Sequence, residues 1–258
     1  MRKKMPSLVS TLSPSKPERV FSLCQNSSDV RVHTIEKNNK RRKICIAGKE
    51  RKTVNQKILR LLKRKEFPKE LMGGLPKKDI FQNARMHAEK KLVINLDIAN
   101  FFPSLKKGVI KKSLRDFLDN DRYSNDEINI LATLVTYHAT LPQGFCTSPI
   151  VANVVLRQIV RDMRSFIPSE MTFTFWIDDI TLSTNKPSLF NKELENKISL
   201  ALAKYGLSLN HAKTMVMPSS GIQKCTNIIV NKYELDYNED YVESLTEDLF
   251  FLRERRVL

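Results

Sequence analysis

No window of the 258-residue chain approaches the ~18 consecutive apolar residues of a membrane-spanning helix, so no membrane segment is expected. The first residues, Met1 to Pro6, are basic, but no apolar stretch follows them, so a secretory leader is not expected either. There are only four cysteines, Cys24, Cys45, Cys146 and Cys225. None stands in a CxxC pair and none has a histidine at zinc-ligand spacing, which argues against a structural zinc site and against a disulfide framework. A reducing, cytoplasmic setting is the expectation. Internal repeats are absent, which excludes a solenoid. Acids are scarce beside bases, 28 Asp and Glu against 44 Lys and Arg, leaving a net charge of +16. A surplus of that size is costly in self-repulsion unless it meets a polyanion, and nucleic acid is the expected partner.

Apolar residues are plentiful at 41%, enough to build a core. Residues 1 to about 34 are rich in Ser, Pro and Lys and read as a loosely ordered arm. A basic run from Lys37 to Lys43 leads into a short strand at Ile44, Cys45 and Ile46. Thr53 is a candidate N-cap for a helix carrying Val54, Ile58, Leu61 and Leu62 on one face. Residues 92–98 (LVINLDI) are apolar almost throughout and predict a buried strand with one acid near its end. Helices are expected over about 105–118, after the Ser124/Glu127 capping-box spacing, from about Pro149, and over 187–205. Residues 171–183 predict a hairpin whose tip holds Asp178 and Asp179. A β run at 227–230 and a last helix near 241–255 complete the reading. Strands and helices mix without regular alternation, so the fold class expected is α+β with an antiparallel sheet.

Asp97 in a buried strand and the adjacent Asp178 and Asp179 in a hairpin form the most chemically informative pattern. Neighbouring carboxylates repel unless one is protonated or a cation intervenes. Hard divalent ions with oxygen ligands, Mg²⁺ foremost and Mn²⁺ as a substitute, suit such acids. A pair of those ions can activate an attacking hydroxyl and stabilise a leaving pyrophosphate.

Four segments surround these acids in order: 97–105 (DIANFFPSL), 141–153 (LPQGFCTSPIVAN), 176–179 (WIDD) and 207–214 (LSLNHAKT). Together they resemble the palm motifs of reverse transcriptases, and the resemblance extends over roughly residues 35–235. Residues 83–87 (NARMH) match the NAxxH element of retron reverse transcriptases, and FFPSL is also typical of that group. The resemblance implies a right-hand polymerase with fingers (35–91), an antiparallel-sheet palm (92–230, with fingers helices at about 105–140) and a short C-terminal thumb (231–258). It implies RNA-directed DNA synthesis on a cognate structured non-coding RNA, primed from a guanosine 2′-OH and yielding RNA-linked DNA. It also implies work beside an effector protein in antiphage defence, with a higher-order complex open.

By the same resemblance Asp97, Asp178 and Asp179 are metal acids, with Ile98 lending a backbone carbonyl. Lys213 is either the general acid for pyrophosphate or a surface lysine. Phe102 is either the sugar gate that selects dNTPs or an ordinary core aromatic. Gln143 and Gly144 would lie beside the incoming nucleotide, and Arg42 with Lys43 would grip its triphosphate. Asn83 and His87 would contact RNA, or else form a hydrogen-bonded structural pair. Three departures stand out: WIDD replaces the usual YADD, Cys225-Thr226-Asn227 replaces VTG, and only 27 residues follow Asn231. A group II intron-like or other defence reverse transcriptase, and a catalytically idle RNA-binding scaffold, are the competing readings.

Overall fold

The computed structural model describes residues 8–13, 15–37, 40–118, 123–231, 236–237 and 242. The composition of the first 34 residues suggests a loose arm, and the structure corrects this. Helices α1 (Leu8–Leu12) and α2 (Glu18–Gln25) bury Leu8, Leu12 and Val20 in the main core. The anchor of α2 is Arg51, which is almost wholly buried. It pairs with Asp29 and donates to the carbonyls of Leu23 and Asn26, so its charge is met inside the protein.

An antiparallel hairpin of β1 (Val30–Lys37) and β2 (Lys40–Ala47) follows, with Ile44, Cys45 and Ile46 inside β2 as expected. Helix α3 (Lys49–Leu62) starts four residues before Thr53, which sits inside it and donates its hydroxyl to the Lys49 carbonyl. The start is set by a distant contact. The Gly48 N–H donates to the Asp29 carbonyl at 2.8 Å, and a Cβ at residue 48 would stand only 2.8 Å from that oxygen.

Helix α4 (Ile80–Arg85), capped by Asp79, precedes the buried strand β3 (Leu92–Asp97). Then come α5 (Phe101–Ser104), α6 (Lys107–Phe117) and α7 (Asn125–Val135), the last opened by the Ser124/Glu127 capping box. Helix α8 (Ser148–Arg164) has Pro149 in its first turn and buries Ile150, Val154, Val155 and Ile159 along its length, each contributing about 1.5–3 kcal/mol. The acid hairpin is β4 (Met171–Trp176) and β5 (Asp179–Thr184). Helix α9 (Lys192–Ala203) follows, shorter than expected because Pro187–Leu189 form a separate 3₁₀ turn. Strands β6 (Met215–Pro218), β7 (Lys224–Cys225), β8 (Ile228–Ile229) and β9 (Asp236–Tyr237) end the described chain. The helix expected over 241–255 lies outside the described residues, except for Val242, which is helical.

The central sheet has strand order β4-β5-β3-β6, antiparallel throughout, as the α+β reading requires. Its central strands β5 and β3 carry the acids Asp179 and Asp97 at the same end. Among the described residues no helix is long and apolar enough to cross a membrane.

Candidate active site

Register brings the acids together. Asp97 at the end of β3 pairs directly with Asp179 at the start of β5, which puts their side chains on one face. The turn between β4 and β5 is Ile177-Asp178. The Ile98 N–H donates to the Asp178 carbonyl at 3.0 Å, and the Asn210 N–H donates to the Asp97 carbonyl at 2.7 Å. Ile177 has φ +59°, a left-handed conformation that disfavours a β-branched residue.

The acids are poorly neutralised. Burial raises the Asp178 carboxyl above its ordinary range, and the charge of Asp97 adds to this. Asp179 keeps contact with solvent, yet dense packing around its carboxyl, then the charges of Asp178 and Asp97, push it up to about 6. Among the described residues the direct cationic partner is Lys213, whose ammonium is ion-paired with Asp97 Oδ1. Lys213 ends a 3₁₀ turn, His211–Lys213, that follows Asn210, so the backbone bond to Asp97 also positions the lysine.

A cleft of about 1080 Å³ opens over this point. Asp97, Ile98 and Asp178 line it, as do Lys213, Arg42, Lys43, Phe102 and Gln143. Asp179 stands beside it rather than in its lining. Phe101 and Phe102 both border the cleft from α5; Phe101 is buried in the core as well, and the two rings meet edge to face at 5.4 Å. Helical rather than strand geometry separates the two rings. Gly144, expected beside the incoming nucleotide, also has a task in the fold. With φ +110° it lies under the finger hairpin, where a Cβ would come within 2.5 Å of the Cys45 carbonyl. The Cys45 N–H also donates to the Gln143 carbonyl at 2.7 Å, so this loop seats β2 against the cleft.

Sequence reasoning missed Asn100, Tyr137 and Asn210, and set His138 aside as structural; all four line the cleft. The signal that could have found His138 is weak, since only folding shows that it and Ala139 form a left-handed turn between Tyr137 and Thr140.

The expected RNA contacts at Asn83 and His87 are corrected. Both side chains are 0% exposed. His87 lies in the turn after α4, with Nδ1 2.8 Å from Ser183 Oγ and Nε2 2.7 Å from Thr174 Oγ1. Burial, with a smaller push from Lys90, lowers its pKa to about 3, so it stays neutral. Asn83 Nδ2 donates to Cys225 Sγ and Thr226 Oγ1, each at 3.2 Å. The pair therefore braces the back of the sheet. Thr226 and Asn227 form the two-residue turn between β7 and β8, both left-handed at φ +46° and +66°. Asn tolerates that conformation where the family pattern has Gly.

The described residues contain no closed group of three His, Cys, Asp or Glu side chains around one point. The donors still suit a hard divalent cation. Asp97 and Asp178 offer carboxylate oxygens to the same cleft, and an ammonium already answers the charge of Asp97.

Residues 35–228 match the family model for reverse transcriptase (RNA-dependent DNA polymerase), and the chain belongs to that family. Within the family it is of the retron type. It is 31% identical over 202 residues to the retron Se72 reverse transcriptase of Salmonella heidelberg (strain 579083-10), a match covering 76% of this chain and 52% of that protein. It is 25% identical over 207 residues to the retron Ec86 reverse transcriptase of Escherichia coli, covering 78% of this chain and 63% of that one. The chain thus spans about half to two-thirds of these relatives. Among solved structures it resembles telomerase from Candida albicans in complex with a TWJ fragment of telomeric RNA. The TM-score is 0.62 at 15% identity, over 81% of this chain and 46% of that one. Apo telomerase from Candida tropicalis gives 0.61 at 14% identity, over 81% and 47%. These are likenesses of fold, consistent with a right-hand palm and fingers.

Proposed function

We propose that the chain is an RNA-directed DNA polymerase that copies a cognate structured non-coding RNA into RNA-linked single-stranded DNA. Residues 35–91 act as fingers and 92–230 as palm. The observation that carries this reading is the convergence of Asp97 and Asp178 on one cleft with Arg42, Phe102 and Gln143.

In this reading Asp97 and Asp178 hold two Mg²⁺ ions, with Asp179 and the Ile98 carbonyl assisting. When bound, the ions supply activation of the primer hydroxyl and neutralise charge on the leaving pyrophosphate. The chain's own groups do the rest. Arg42 and Lys43 orient the triphosphate through charge-assisted hydrogen bonds. Phe102 closes the space beside C2′ of the sugar, and Gln143 contacts the nucleotide from the opposite wall. Lys213 leaves Asp97 and gives a proton to the departing pyrophosphate. The partners are the RNA, its DNA product, dNTPs and an effector protein of antiphage defence, in the cytoplasm.

Primer extension on an RNA template with Mg²⁺ and dNTPs tests the site. The wild type extends, and the double variant Asp178→Ala, Asp179→Ala does not. Equal extension by both would place the chemistry elsewhere, and no extension by either, even with cognate RNA, would favour an RNA-binding scaffold. Phe102→Val should raise ribonucleotide use by about 10- to 200-fold, the scale on which a pocket tells apart ligands that differ by one small group. Sequencing of co-purified nucleic acid tests the retron product: a 2′-5′ branch supports it, whereas unbranched or untemplated DNA overturns it.

A further inference from the structure

The catalytic turn is gripped from the side by a segment that no motif above includes. Residues 70–74 run along the outer edge of β4. The Met72 and Gly73 N–H groups both donate to the Phe175 carbonyl, at 2.9 and 3.3 Å, and the Phe175 N–H donates to the Glu70 carbonyl at 2.7 Å. Leu71 and Phe175 form a parallel bridge. This strap thus occupies the open side of the strand that leads into Ile177-Asp178.

Its two glycines lie against the turn itself. A Cβ on Gly73 would stand 2.8 Å from the Ile177 nitrogen and 2.9 Å from the Trp176 carbonyl carbon, both of them backbone atoms. Gly74 has φ +71°, and its Cβ would stand 2.7 Å from Pro149 Cβ and 3.0 Å from Ile177 Cδ1. Backbone therefore packs on backbone where Ile177 holds its left-handed conformation.

Helix α8 fastens the strap at two points. Asn153 Nδ2 donates to the Gly73 carbonyl at 2.8 Å. Arg164 donates to both carboxylate oxygens of Glu70, at 2.9 and 2.6 Å. The two residues are eleven positions apart, three helical turns, and so share one face of α8. The Asn153 side chain is fully buried, and the same Nδ2 also donates to the Pro149 carbonyl of its own helix at 3.0 Å, so the amide links the first turn of α8 to the strap.

We propose that Gly73, Gly74 and Asn153 are positioning residues for the catalytic turn. They hold Ile177 left-handed and thereby aim the Asp178 carboxylate into the cleft. The proposal rests on the polymerase reading only for its activity readout. Trp176 is the sole tryptophan of the chain and adjoins the turn, so its fluorescence reports on the turn with or without catalysis.

The test compares wild type with Gly73→Ala and Asn153→Ala in the full 258-residue chain. Gly108→Ala is the control, since nothing lies within 4 Å of a Cβ there. Thermal melting, Trp176 emission and single-nucleotide extension are measured on each. The expected result is cooperative melting of both variants, shifted Trp176 emission, a kcat lower by about a hundredfold and a dNTP KM within about threefold, as for an ångström-scale misplacement of a reacting group. The control should match wild type in kcat and emission. Wild-type kcat in both variants overturns the proposal, as does a loss of activity with unchanged Trp176 emission. If Gly73→Ala fails to fold, Asn153→Ala decides by the same criteria. If the wild type itself does not extend, the polymerase reading fails, and the positioning role is judged on Trp176 emission alone.

Discussion

The strands β4 and β5 carry two polar clusters with opposite economies. At the tip, Asp178 and Asp179 are crowded and face a third acid, with one lysine between three carboxylates. Farther along the same strands, Thr174 and Ser183 clasp a neutral His87, and both imidazole nitrogens have partners. One cluster is left with unanswered charge and opens on a cleft. The other is satisfied and sealed. The difference separates polar groups kept for a ligand from the one kept for the fold: the former tolerate repulsion that a cation would relieve, and the latter has a partner on each ring nitrogen.

The largest test of this contrast is Asp178→Asn. It should lower nucleotide incorporation by about a thousandfold, on the scale of other charge-stabilising groups. In metal-free buffer it should leave the melting temperature unchanged or raise it, because a repulsive charge is gone. A lower melting temperature would mean that the tip acids support the fold. His87→Ala should do the reverse, destabilising by about 3 kcal/mol through a cavity and two stranded hydroxyls. The folded fraction should retain its kcat, as measured by denaturant unfolding beside primer extension.

A pH series sharpens the same comparison. Between about 6 and the ordinary Asp value of 3.8, folded Asp179 holds a proton that the unfolded chain has released. Acidification from neutrality through that window therefore stabilises the fold by way of Asp179. His87 has the opposite sign. Between its ordinary 6.5 and about 3, the unfolded chain takes up a proton that the folded chain refuses, so acidification destabilises. In metal-free melts, Asp179→Asn should lose stability more steeply than wild type from about pH 6.5 to 4.5. A parallel slope would refute the opposition. The smallest effect concerns the turn braced by Asn83. Asn227→Gly should add about half a kcal/mol, since glycine accepts a positive φ more readily, and the melting curve should show it.

The acids, the hairpin, the apolar strand of Asp97 and the capping box at Ser124 were legible because their signals are local: period, adjacency and cap spacing. What eluded the sequence depends on distant partners. His87 reaches Thr174 and Ser183 across 87 and 96 positions, so its burial has no local mark. The start of α3 follows from a contact with Asp29 rather than from Thr53. Helices α1 and α2 are too short for a clear period, and they are held by the core and, in α2, by Arg51. The close approach of the Cys45 carbonyl to Gly144 likewise joins residues about a hundred positions apart and has no local mark.

The pairing of Asp97 with Asp179 has a further consequence. Side chains along a strand alternate between faces, so slipping β3 by one residue against β5 would turn Asp97 away from Asp179 altogether. The two acids are thus coupled like the teeth of a ratchet, with whole steps and no fractions between. A substitution within β3 or β5 either leaves them opposed or unmakes the pair, and the apolar face of the sheet acts as the detent. Graded tuning of the chemistry has to come from the elements outside that register: the turn at Ile177, the lysine at 213 and the finger hairpin that closes the cleft.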